Sequence, residues 1–64
     1  MNLIEGLQKE LKRNRELLKM YEEIPQGIFG ATIIRQSIKK AESAMANGDT
    51  VEMLRCFKDL QKSQ

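Results

Sequence analysis

The chain has 64 residues and a mass of 7.4 kDa, enough for one small domain and too little for a second core. Eleven Lys and Arg against nine Asp and Glu leave a net charge of +2 with the signs interspersed, so no basic block marks a nucleic-acid surface. Histidine is absent and cysteine occurs once, which excludes an internal disulfide, Cys–His or Ser–His catalysis, and a structural zinc site with four N or S ligands.

A first helix is expected over residues 3–23. Ile4, Leu7, Leu11, Asn14, Leu18 and Tyr21 recur at spacings of three and four, a single helical stripe that Leu17 widens. The opposite face carries Lys9, Lys12, Arg13, Glu16, Lys19 and Glu23, a solvated surface on which Glu5 with Lys9 and Glu16 with Lys19 are spaced as acid–base pairs. Pro25 has no N–H to donate and disfavours helical geometry at Ile24, so the helix should stop near Glu23. Asn14 is the one polar member of the apolar stripe. Either it pairs with its counterpart in a second copy and fixes the register of a helix-to-helix seam, or it lies partly exposed at the stripe's edge.

Residues 24–34 form the longest uncharged stretch, interrupted by Pro25, Gln26, Gly27 and Gly30, and fall short of the ~20 apolar residues that span a bilayer. Gly27 and Gly30 frame the entry to a second helix, and free amides at a helix N-terminus attract anions. Thr32 offers a hydroxyl, Arg35 and Lys39 follow at helical spacing, and Tyr21 approaches from across the loop. Arg13 or Arg15 of another subunit is also within reach of such a place. Tyr21, Gly27, Gly30, Thr32, Arg35 and Lys39 are therefore the candidate ligand site, suited to phosphate. The competing reading is that the glycines only build a turn while Ile28 and Phe29 plug the core; an exposed Ile28–Phe29 pair would instead mark a protein interface.

The second helix is expected over residues 29–46, with Ile34, Ile38, Ala41 and Met45 inward and Asn47-Gly48 as a left-handed stop. Asp49-Thr50-Val51-Glu52 then reads as a capping box: Asp49 accepts from first-turn amides and Glu52 reaches back to the Asp49 N–H. The third helix, residues 50–62, presents Val51, Met53, Leu54, Phe57 and Leu60, and the residues after Leu60 lack apolar anchors and are expected to fray. Cys56, among these apolar positions, reads as a small buried hydrophobe. The scattered glutamates lack the inward Glu-x-x-His pattern of di-metal bundles, so no metal or other cofactor is expected. The short second connection makes helices two and three antiparallel neighbours. The fold class is all-α: a long N-terminal helix and a tight helical hairpin.

Size bears on assembly. Burial of ~60% of the unfolded surface, about 60% of that area apolar, contributes roughly 95 kcal/mol at ~25 cal/mol/Å², and ordering the chain at ~1.5 kcal/mol per residue costs about the same. With no disulfide or metal to supply a margin, a homo-oligomeric helical bundle is expected, with Ile4, Leu7, Leu11, Asn14, Leu18, Ile28 and Phe29 as interface candidates.

The run from Gly27 to Arg55, GIFGATIIRQSIKKAESAMANGDTVEMLR, joins a Gly-x-x-Gly helix entry to Ala-Glu-x-Ala-x-x-x-Gly-Asp. It resembles short uncharacterised helical proteins of bacteriophages, over about half the chain. Such proteins include counter-defence oligomers that sequester nucleotide signals, and the resemblance implies a phage-encoded protein working in the host cytoplasm. The opening residues MNLIEGLQKE show no basic and then apolar leader, so no secretory signal is expected, and the lone thiol suits a reducing, cytoplasmic setting.

Three functions are therefore in view, none enzymatic. The first is an oligomer that sequesters a phosphate-bearing nucleotide, with Arg35 and backbone amides holding the charge and Tyr21 packing on the base. The second is a protein-binding inhibitor or adaptor that engages a host protein through a helix face or Ile28–Phe29. The third, nucleic-acid binding by the basic residues of the first helix, is the least favoured.

Overall fold

The computed structural model describes residues 2–63, which form α1 (Leu3–Glu22), one 3-10 turn (Pro25–Gly27), α2 (Ile28–Asn47) and α3 (Thr50–Lys62), with no strand among them. The all-α reading holds.

α1 starts where Asn2, in extended conformation, accepts a 2.8 Å hydrogen bond from the Glu5 N–H, a cap the hydrophobic stripe does not reveal. It ends one residue earlier than expected, with the Glu23 amide folding back on Met20 and Tyr21. Ile24 is extended ahead of Pro25, as the ring demands, and the chain turns through the 3-10 segment straight into α2 at Ile28. Gly30 therefore lies inside the helix. α2 runs to Asn47 and stops at Gly48, whose φ of 65° is left-handed. The Asp49 N–H bonds to Ala44 O at 3.1 Å, closing a Schellman-type end. That bond corrects the capping box. Asp49 accepts from the Glu52 N–H at 3.1 Å, but its own N–H is already used, and Glu52 turns to Arg55 at 3.5 Å.

Leu7 and Leu11 of α1, Ile34, Ile38, Ala41 and Ala44 of α2, and Met53, Cys56 and Leu60 of α3 form one buried cluster. Alanines in the second half of α2 let α3 approach closely, and Leu3, Leu17, Leu18, Tyr21, Met45 and Phe57 pack around the rim.

Asn14 is neither of the things the stripe suggested. It is completely buried within the one chain, where its Nδ2 donates to Glu10 O at 2.8 Å and to Leu60 O of α3 at 3.2 Å. Arg13 beside it donates to the Leu60 and Ser63 carbonyls. The two side chains cap the last turn of α3 from α1, which is why α3 continues through Lys62 where fraying was expected. Gln64 lies outside the described residues.

The helices differ in length, and the molecule measures 36 × 20 × 16 Å. α1 and α2 have 20 residues each and α3 has 13. At 1.5 Å per residue α3 is about 10 Å shorter than its neighbours. Its C-terminal end is held at Arg13 and Asn14, so the α1–α2 corner projects beyond it as a two-helix segment.

Candidate functional site

Five of the six residues predicted to bind a ligand gather at this corner, and most are already held by contacts within the chain. A Cβ on Gly30 would lie 2.6 Å from Cδ2 and Cε2 of the Tyr21 ring, and one on Gly27 would run into the Tyr21 carbonyl. The glycines are there because α1 and α2 close tightly around Tyr21, which fills the space a ligand would need to reach their backbone. The Gly27 amide bonds to Ile24 O at 2.8 Å. Thr32 turns its hydroxyl back to Ile28 O at 2.9 Å, within its own helix. Arg35 donates to Glu22 Oε2 at 2.8 Å across the corner, with both side chains about half exposed. Lys39 is exposed one turn beyond and does not line the same groove.

What these contacts leave open is a shallow groove of about 280 Å³ lined by Tyr21, Glu22, Ile24, Pro25, Ile28, Ala31 and Arg35. Its walls are apolar and one edge carries the Glu22–Arg35 ion pair. Ile28 is 74% and Phe29 78% exposed, which removes the core-plug reading of that dipeptide. Sequence reasoning missed Ile24 and Pro25 as wall residues and Glu22 as the partner of Arg35. Their signal was present in Pro25 itself, which forces the chain to present Ile24 beside the entering helix.

Of the interface candidates, Leu7, Leu11 and Asn14 are covered within the single chain, Leu18 is half-buried against the same core, and Ile4, Ile28 and Phe29 face outward. A second ion pair, Arg15 with Glu42 at 2.8 Å and half exposed, joins α1 to α2 on the flank that α3 does not cover. Glu22–Arg35 continues that row, so the groove opens on the same flank.

Cys56 is the chain's one thiol. It is buried, and burial above all, with the carboxylates of Glu52 and Asp59, raises its pKa against a smaller lowering by Lys40. A thiol held protonated in an apolar core is a poor nucleophile. Among the described residues no group of three or more His, Cys, Asp or Glu is placed to hold a metal ion. No helix among them is long and apolar enough to cross a membrane. No family model, curated protein or solved structure matches the chain.

Proposed function

We propose that the chain is a non-catalytic protein-binding module whose recognition element is the groove at the α1–α2 corner. The observation that carries this reading is Ile28, 74% exposed on the wall of an apolar groove whose edge is an ion pair. An apolar side chain of a partner polypeptide seats between Ile24, Pro25 and Ile28, and a charge beside it exchanges with Glu22 or Arg35. Apolar anchorage supplies the affinity and the ion pair selects orientation.

The phosphate-sequestering reading has one observation in its favour: Tyr21 and Arg35 line the same groove. Against it, Glu22 already occupies the guanidinium and holds a carboxylate where a phosphate would sit. Two measurements separate them. A photoreactive benzophenone side chain placed at position 28, with position 51 at the far end as control, should capture a discrete host protein only from position 28. Arg35→Glu should abolish that capture. A nucleotide or cyclic dinucleotide that raises the melting midpoint, with no adduct at position 28, would favour sequestration and overturn the protein-binding reading.

A further inference from the structure

Beyond the groove, the corner has a second apolar surface, on the flank that faces α3 and past its end. On α1, Met20 continues the row of Gly6 and Arg13 at seven-residue spacing; Gly6 is buried and Arg13 reaches α3, so the row faces α3. On α2, Ile33 lies three turns before Ala44, which is buried in the cluster shared with α3. Both rows run on after α3 has stopped. There Met20 is 61% and Ile33 54% exposed, with Phe29 one turn before Ile33 and Leu17 half-buried between the helices.

Among the described residues, five of the eight large exposed hydrophobic side chains belong to this one corner; Ile24 and Ile28 line the groove, and Met20, Phe29 and Ile33 lie on the flank that faces α3. At roughly 200 Å² for a fully exposed large side chain those three present ~400 Å² of apolar surface, within the range of a monomer's largest patch and, with about 60% of an interface apolar, close to the apolar share of the ~800 Å² each partner gives a standard interface. The chain as a whole exposes 4720 Å². A folded monomer of this mass is expected to expose roughly 4,200 Å², so the surplus is about the size of the patch.

We infer that a second copy of this chain occupies the place α3 leaves vacant, the two-helix ends of α1 and α2 packing against their counterparts in a two-fold symmetric dimer. The deficit belongs to the chain's own core and exists from the moment it folds, and the partner present in equal amount at that moment is another copy. A two-fold contact needs a self-complementary patch, and a flat apolar face rowed by Met20, Phe29 and Ile33 meets that condition. Leu7, Leu11 and Asn14, already covered within one chain, take no part. The groove lies on the opposite flank, so the dimer and the groove stand or fall separately.

Sedimentation equilibrium of the purified chain at micromolar concentration tests this. The expected mass is twice 7.4 kDa, and Ile33→Glu, at a site exposed in one chain, should return it to 7.4 kDa with the helical circular dichroism spectrum retained. Met20→Lys, on the other helix, serves if Ile33→Glu loses helix. A wild-type chain that sediments as a monomer, or a dimer that survives both substitutions, overturns the inference. Benzophenone capture at position 28 reads the groove independently of either result.

Discussion

At the scale of single residues, the most informative is Asn14, because its amide is buried with only half of its hydrogen-bonding capacity met. Nδ2 makes two bonds, whereas Oδ1 is buried without a partner. An unmet acceptor costs ~1–3 kcal/mol, comparable to what two neutral hydrogen bonds contribute net. Leu60 O keeps Arg13 and the Ser63 N–H as donors without Asn14. Asn14→Leu is therefore expected to change unfolding free energy by less than ~1 kcal/mol, while Asn14→Asp, which sets a carboxylate against two carbonyls, should cost ~2–4 kcal/mol. Denaturant titration of both variants checks the contrast. Gly27 and Gly30 differ in the same way. A methyl at Gly27 meets the Tyr21 backbone, which cannot yield, and should cost ~2 kcal/mol, whereas one at Gly30 meets a ring edge that can rotate and should cost less. For Cys56 the raised pKa means that the folded state favours the protonated thiol. Its contribution to stability is fully present below the ordinary value of 9.0 and is lost as pH rises through the higher folded value. Alkylation of the native chain at neutral pH should be at least ~10-fold slower than in denaturant; equal rates would place Cys56 at the surface.

At the scale of elements, each helix end has an identifiable stop or start, and the short linkers give those ends leverage. Asp49 is the strongest. Its carboxylate caps α3 while its N–H closes α2, so Asp49→Ala should cost ~1 kcal/mol through the α3 cap alone. Amide exchange should then show reduced protection of Glu52 with the position-49 amide, bonded to Ala44 O, still protected; loss of protection at both would show that the two helix ends are coupled. The periodicity of apolar residues placed all three helices to within a residue at each end, because a stripe at 3.6-residue spacing and punctuation by Pro25 and Gly48 are local properties. The register between helices was not legible. That Asn14 meets Leu60 depends on where α3 crosses α1, a non-local fact that spacing within α1 does not encode. The candidate site was half legible for the same reason. Tyr21, Gly27, Gly30 and Arg35 do converge, but the sequence could not show that Tyr21 fills the glycine cradle or that Glu22 takes Arg35.

At the scale of the whole molecule, the shortness of α3 decides what the chain can do. Three helices of equal length would close the core at both ends; here the corner of α1 and α2 stands about 10 Å clear of its third partner. One flank of that corner forms the groove with its ion pair, and the other continues the core rows outward. Salt should affect the two unequally. Screening weakens an exposed pair such as Glu22–Arg35 and leaves apolar contacts unharmed, so partner capture at the groove should fall with ionic strength while self-association does not. The central claim is that one copy leaves its core open at this end, and thermal melting followed by circular dichroism over a range of concentrations tests it most directly. If folding and pairing are coupled, the midpoint should rise by roughly 5 °C for each tenfold increase in chain concentration from about 1 µM to about 100 µM. A midpoint that stays the same across that range would show that a single chain is sufficient, and would contradict the account.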